Sequence, residues 1–259
     1  MADTPRRSPL DGIPSWNFEV VAAFPLTPRM QRVQITADNI DTLAFQPGQD
    51  FMLTIPVEGT KGTRRRYTIR RFDRSTGVVD LDMVLHGHGP GATWALNAKP
   101  GDHLHALGPR GNITLNAEAD WHLFFGDESA LPATAAMIEA APAGTKAFVF
   151  LEVIDDLDQQ AVDIPAGADI TWTWLHRGDT EPGTSAVLVE ALKNFELPSG
   201  AGQSYLNGEL AVMNQLRELL VAKGQPTDHI ALKSYWRRGV ANAAHGEPLR
   251  DGQVLPANL

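Results

Sequence analysis

The chain of 259 residues is predicted to fold as a two-domain α/β protein, an N-terminal six-stranded antiparallel β-barrel followed by a doubly wound parallel sheet. Three observations predict this. Residues 16–107 read as short, often β-branched strands separated by turn signals. From residue 121 onward, apolar runs of strand length alternate with segments of helical periodicity. Hydrophobic residues make up 43% and charged residues 20%, the balance of a globular chain able to bury a core in each domain.

In the first half the candidate strands are residues 16–24 (WNFEVVAAF), 29–37 (RMQRVQITA), 50–56 (DFMLTIP), 65–71 (RRYTIRR), 78–86 (VVDLDMVLH) and 102–107 (DHLHAL). Pro47-Gly48, Glu58-Gly59, Ser75-Thr76-Gly77, Lys99-Pro100-Gly101 and Gly108-Pro109 punctuate them. Partial alternation in 78–86 predicts one face packed inward and the other toward solvent. Six such strands, with one helix near 92–97, predict a closed antiparallel barrel.

In the second half, 121–125 (WHLFF), 147–153 (AFVFLEV), 170–175 (ITWTWL), 203–207 (QSYLN) and 229–236 (HIALKSYW) read as strands. Helices are predicted over 128–141, with Ser129 as a possible cap and Pro132 in the first turn, and over 184–192. The segment 208–223 has the strongest helical signal, with Leu210, Met213, Leu216 and Leu220 at helical spacing and Gly224 as the stop. Buried strands alternating with helices mean a parallel sheet covered on both faces. The boundary falls near 116–120. Domains of 1–116 and 117–239 are expected, and 240–259, rich in Ala, Gly and Pro, reads as a surface tail.

Composition excludes several functions. The net charge of −9 argues against bulk attraction to nucleic acid or an anionic membrane. The absence of cysteine removes disulfides, thiolate catalysis, cysteine-ligated clusters and cysteine zinc sites. No apolar core of signal-peptide length opens the chain and no run reaches membrane-span length, so a soluble cytoplasmic protein is expected. His86, His88, His103 and His105 have no nearby carboxylate to complete a site, and no metal is expected.

Against that acidic background, residues 64–71 (RRRYTIRR) hold five arginines. On a strand, Arg65, Tyr67, Ile69 and Arg71 share one face, and Arg66, Thr68 and Arg70 the other. Two readings compete: a barrel strand with a solvated face, or a cradle for something flat and anionic.

Arg65-Arg66-Tyr67-Thr68 resembles the Arg-x-Tyr-Ser/Thr flavin motif of the ferredoxin-reductase-like flavoenzymes, which also place a barrel before a nucleotide-type α/β domain. Residues 86–95 (HGHGPGATWA) resemble the His-Gly-x-Gly-Pro-Ala-Ser-x-Trp-Ala segment of the siderophore-interacting proteins. Residues 126–133 (GDESALPA) are similar to that family's Gly-Asp-Glu-Thr-Ala-Leu-Pro-Ala segment. Trp174-Leu175-His176-Arg177, Gly208-Glu209 and Tyr235-Trp236-Arg237-Arg238-Gly239 follow in order, so the resemblance runs from about residue 16 to residue 239. Thr93 stands where the family has Ser, keeping the hydroxyl; Gly91 stands where it has Ala, which implies a looser turn.

The resemblance implies an FAD-dependent, NAD(P)H-driven reductase of ferric siderophores, acting as a cytoplasmic monomer without nucleic-acid or membrane partners. A general flavin reductase with another acceptor and a non-enzymatic siderophore-binding protein are the alternatives. For FAD, the resemblance implies that Arg65 forks onto phosphate, Tyr67 stacks on the isoalloxazine and Thr68 bonds the N5 edge. Gly87, Gly89, Gly91, Ala92, Thr93 and Trp94 form a glycine turn and helix start suited to phosphate, and His86 either touches the flavin or ends a strand. For NAD(P)H, it implies Gly126, Asp127, Glu128, Ser129 and Ala130, with Ser129 and backbone amides making the contact; Asp127 and Glu128 equally suit a helix cap. His176 and Arg177 are placed at the adenosine ribose or a 2′-phosphate, Arg177 favouring NADPH, and Gly208 and Glu209 near flavin and nicotinamide. Lys61, Arg64, Arg237 and Arg238 form a patch for an anionic ferric chelate, or are plain surface charge. No acid–base catalytic residue is expected, since the chemistry belongs to the flavin.

Overall fold

The structure, a computed structural model, describes residues 12–86 and 89–240. The expected tail beyond Val240, and Gly87 and His88, lie outside the described residues.

Residues 12–110 build one antiparallel sheet from β1 (Ser15–Thr27), β2 (Met30–Thr36), β3 (Asp50–Ile55), β4 (Thr63–Thr68), β5 (Arg71–Asp73), β6 (Val78–Val84) and β7 (His103–Arg110), with helix α1 (Pro90–Asn97) between β6 and β7. The order is β4-β3-β7-β1-β2-β6-β5. Alternation sets the inner face: Trp16, Phe18 and Val20 of β1, Val33 and Ile35 of β2, and Phe51, Leu53 and Ile55 of β3 are buried in one cluster.

The expected six strands are seven among the described residues, because residues 65–71 do not form a single strand. Ile69 N–H still donates toward the β3 side, to Gln49 O at 3.0 Å. Arg70 N–H donates to Asp80 O of β6, also at 3.0 Å. The chain thus changes partner strand between adjacent residues. Residues 69 and 70 link β4 and β5, the two edge strands of the sheet.

The second sheet is parallel throughout: β8 (Trp121–Gly126), β9 (Lys146–Val153), β10 (Asp169–His176), β11 (Gly202–Glu209) and β12 (Ile230–Trp236), in the order β10-β9-β8-β11-β12. Helices α3 (Val187–Asn194) and α4 (Leu210–Ala222) cover one face, α2 (Leu131–Glu139) the other. Helix α4 buries Met213, Leu216 and Leu220, as its spacing predicts. Alternation fails once: β9 and β10 are joined by a loop with one 3-10 turn at Asp156–Asp158 rather than by an α-helix.

Helix α2 begins at Leu131, later than expected, and Ser129 makes no cap bond to it. Residues Leu131 to Ile138 are all buried, which marks a helix packed on every side. One side lies on the parallel sheet, and Met30, Leu26 and Val84 of the first sheet join the same cluster. Ion pairs staple the seam: Arg70 forks onto Glu139 of α2 with both bonds at 2.6 Å, Arg29 meets Asp158 at 2.7 Å, and Lys233 of β12 meets Asp50 of β3 at 2.7 Å.

Candidate flavin and nicotinamide site

A cleft of about 980 Å³ opens where β4, the start of α1, the β8–α2 turn and the end of β12 converge. That volume is at the upper end of the range for small-molecule and cofactor sites, about 300–1,000 Å³. Arg64, Arg65, Arg66, Tyr67 and Thr68 form one wall; His86, Gly89, Gly91 and Ala92 a second; Asp127, Glu128 and Ser129 a third; and Trp236, Arg237 and Arg238 the mouth.

The first two walls have the chemistry a flavin dinucleotide needs. Pro90 opens α1 and has no N–H, so the first free donors of the helix are those of Gly91 and Ala92, both beside the cleft. The positive end of the helix dipole faces the same space. Across from it, Arg65 donates to Thr63 Oγ1 and Arg64 O, both at 2.8 Å, and its guanidinium has no carboxylate partner among the described residues. The Gly91 departure has a concrete cause: a Cβ there would collide with the Tyr67 hydroxyl. The turn is therefore tightly occupied rather than loose. Burial pushes the Tyr67 phenol up to about 12, with Arg65 pulling the other way, so it is a neutral donor at physiological pH. Thr68 lines the cleft together with Tyr235, whose own phenol is also pushed up by burial. Cationic and amide donors beside a flat aromatic wall fit FAD.

Behind the third wall lies the point where strand order reverses, between β8 and β11. Doubly wound sheets bind dinucleotides at the carboxyl ends of the strands there. Asp127 follows β8 and is the hub. Its Oδ1 accepts from Ser129 N–H at 2.9 Å and from the Ser129 hydroxyl; its Oδ2 accepts from Glu209 N–H at 3.0 Å and Trp236 Nε1 at 2.8 Å. Gly208, at φ +149°, leaves room for this carboxylate; a Cβ would lie 2.6 Å from Asp127 Oδ2. Burial, then the neighbouring Glu128, pushes the Asp127 carboxyl up to about 6 despite these donors. Glu128 is forked by Arg177 at 2.6 and 2.8 Å, and Arg177 also lies 3.5 Å from Glu152. Burial pushes the Glu152 carboxyl up to about 7, with Arg177 opposing.

The cleft gathers Arg64, Arg65, Tyr67, Thr68, His86, Gly89, Gly91, Ala92, Asp127, Glu128, Ser129, Arg237 and Arg238 of the expected site residues. Others lie elsewhere. Lys61 is exposed outside the lining; Thr93 is exposed and Trp94 packs on the core of the first sheet. Gly126 and Ala130 are buried under the turn, and Gly208 and Glu209 sit behind Asp127. Glu209 caps α4, accepting from Ala211 N–H at 2.6 Å and Val212 N–H at 3.0 Å. Both Ser129 donors expected at a pyrophosphate are turned onto Asp127. His176 is exposed with Nε2 2.8 Å from Gln159 Nε2. Arg177, expected to meet a 2′-phosphate, is turned inward, its side chain only 1% exposed.

Sequence reasoning missed the floor of the cleft. Asp50 accepts a bidentate pair from Arg66 at 2.9 and 2.8 Å and a third bond from Lys233. A lysine inside the apolar strand IALKSYW was the available signal, because a charge there requires a buried partner.

Comparison with known proteins agrees with this geometry. Residues 45–113 match the siderophore-interacting FAD-binding domain, and residues 119–239 match the siderophore-interacting protein family. Ferric vibriobactin reductase ViuB of Vibrio cholerae is 35% identical over 191 residues, covering 72% of this chain and 69% of that protein. The NADPH-dependent ferric-chelate reductase of Escherichia coli is 24% identical over 182 residues, 69% of this chain and 68% of that one. A siderophore utilization protein from T. fusca superposes with a TM-score of 0.82 at 36% identity, over 90% of this chain and 96% of that one. With family matches reaching both sheets, the chain belongs to the siderophore-interacting protein family, and strands β3 to β7 of its first sheet fall within the match to that family's FAD-binding domain.

Proposed function

We propose that this protein is an FAD-dependent NAD(P)H:ferric-siderophore reductase. The observation that carries the reading is the single cleft joining the Arg65–Tyr67–Thr68 wall, the Gly89–Gly91–Ala92 helix start and the Asp127–Ser129 turn. When bound, FAD supplies two-electron acceptance from reduced nicotinamide and one-electron delivery to chelated iron. The overall reaction balances as one NAD(P)H with two Fe(III), giving NAD(P)⁺, a proton and two Fe(II).

The side chains bind and orient. The Arg65 guanidinium and the Gly91 and Ala92 amides hold the diphosphate; Tyr67 and Thr68 position the ring system. The β8–α2 turn, kept rigid by Asp127, receives the nicotinamide dinucleotide. Arg64, Arg237 and Arg238 at the mouth attract an anionic ferric chelate, with Lys61 nearby in sequence on the loop before β4. The ferrous product is a poorer match for hard catecholate or hydroxamate oxygens and leaves the chelator.

On this reading the first sheet is the barrel of a flavin domain spanning 1–116, residues 117–239 are the NAD(P)H domain, and 240–259 are a tail. The protein works as a cytoplasmic monomer. No helix among the described residues is long and apolar enough to cross a membrane.

The test is anaerobic. FAD-loaded protein receives nicotinamide and a ferric catecholate in the presence of a ferrous trap, and two trapped Fe(II) are expected per nicotinamide oxidised. The Arg65→Ala, Tyr67→Ala double variant should lose FAD affinity by about tenfold or more, as deletion of a charge-assisted contact and a stacking face implies. Unchanged flavin occupancy with undiminished iron turnover would sink the reading.

A further inference from the structure

We propose that this chain selects NADH over NADPH, and that the carboxyl ends of β9 and β10 make the selection. The proposal rests on reading the β8–α2 turn as the dinucleotide site.

In a sheet of this order the pyrophosphate lies over the first strand–helix turn, and the adenosine ribose reaches the next strand ends. At such strand ends an acidic residue bonds a free ribose 2′-hydroxyl, whereas an arginine accommodates a 2′-phosphate. Here β9 ends at Val153 and is followed by Asp155 and Asp156; β10 ends at His176 and is followed by Arg177 and Asp179. Asp156 and Asp179 are exposed, and the Asp155 side chain is 38% exposed.

The two guanidinium groups at these strand ends are committed. Arg177 spends both terminal nitrogens on Glu128 and lies within 3.5 Å of Glu152. Turning it outward would leave buried Glu152 and half-buried Glu128 without their cation, which is why it does not reach a ligand. Arg29 arrives from the first sheet and is held by Asp158 at 2.7 Å and Asp155 at 3.5 Å. A 2′-phosphate brings nearly two further negative charges into a rim of aspartates. A ribose hydroxyl instead donates a hydrogen bond to a carboxylate oxygen.

The full chain, loaded with FAD, is titrated calorimetrically with ADP-ribose and with 2′-phospho-ADP-ribose. ADP-ribose should bind at least about tenfold tighter, since like-charge juxtaposition costs more than the 1.4 kcal/mol that a factor of ten represents. The gap should narrow at about 1 M salt, where the Debye length falls to about 3 Å. The double variant Asp156→Ser, Asp179→Arg should move the affinity ratio about tenfold toward the phosphorylated ligand. Arg177→Gln should weaken both ligands by the same factor, and because the readout is a ratio, partial loss of folded protein does not disturb it. Equal or tighter binding of 2′-phospho-ADP-ribose by the unaltered chain, or a loss confined to that ligand in Arg177→Gln, overturns the selection while leaving the dinucleotide site intact. Failure of both ligands to bind overturns the site and the selection together.

Discussion

Glu152 is 3% exposed near the end of β9, with a carboxyl pushed from 4.5 up to about 7 chiefly by burial. Its folded pKa lies above its unfolded one, so folding favours the protonated form. That contribution is complete below about pH 4.5 and is lost as pH rises through about 7. Asp127 acts in the same sense through about 6. Thermal stability should therefore decline between about pH 5 and pH 8. Glu152→Gln should flatten part of that slope and melt at least about 2 °C above the parent at pH 8; parallel melting curves across the range would contradict it. The lone glutamate of AFVFLEV is visible in the sequence as an anomaly in an apolar run. Its partner is not, because Arg177 comes into reach only through the β9–β10 register that sets Glu152 opposite Leu175. The arginine-rich stretch was legible in the same partial way. Charge density left a solvated face and a cradle both open, and Arg66 and Arg70 fit neither, since they turn inward to Asp50 and Glu139, acids that only long-range folding supplies.

Among the elements, α4 was readable from its 3.6-residue spacing and its Gly224 stop, because one face meets solvent and the pattern survives. Helix α2 kept its first-turn Pro132 as a signal but has no solvated face, so its all-round packing left no stripe to read. The break between β4 and β5 was invisible for another reason: Ile69 and Arg70 both suit a strand, and only the strands available on either side make them diverge. At α1 the close approach of Gly91 to the Tyr67 hydroxyl makes a direct prediction. Gly91→Ala should displace the ring and weaken FAD binding by about tenfold, in line with an overpacking cost of about 1–3 kcal/mol. Adding Tyr67→Phe, which removes the oxygen that the new methyl meets, should restore most of the loss in a flavin fluorescence titration. A double variant as weak as the single would show that crowding against the hydroxyl is not the cause.

For the whole molecule, strand–helix alternation made the parallel sheet legible, while the manner in which two sheets dock was written only in scattered charges. Asp50 shows why: its partners are 16 and 183 residues away. Asp50→Ala should cost about 3–5 kcal/mol in urea denaturation, because it deprives Arg66 and Lys233 of their shared carboxylate in a buried setting. Lys233→Met in the same chain should recover part of it; a loss under about 1 kcal/mol for the single variant would mean the triad is dispensable. The hop of the backbone at Ile69–Arg70 has a consequence for behaviour. One span of eight residues rims the ligand cavity at Arg65 and Tyr67 and grips the neighbouring lobe at Arg70, with no flexible linker in between. Prosthetic-group capture and lobe cohesion are therefore expected to be coupled, and limited proteolysis should cut FAD-loaded protein more slowly than protein without FAD.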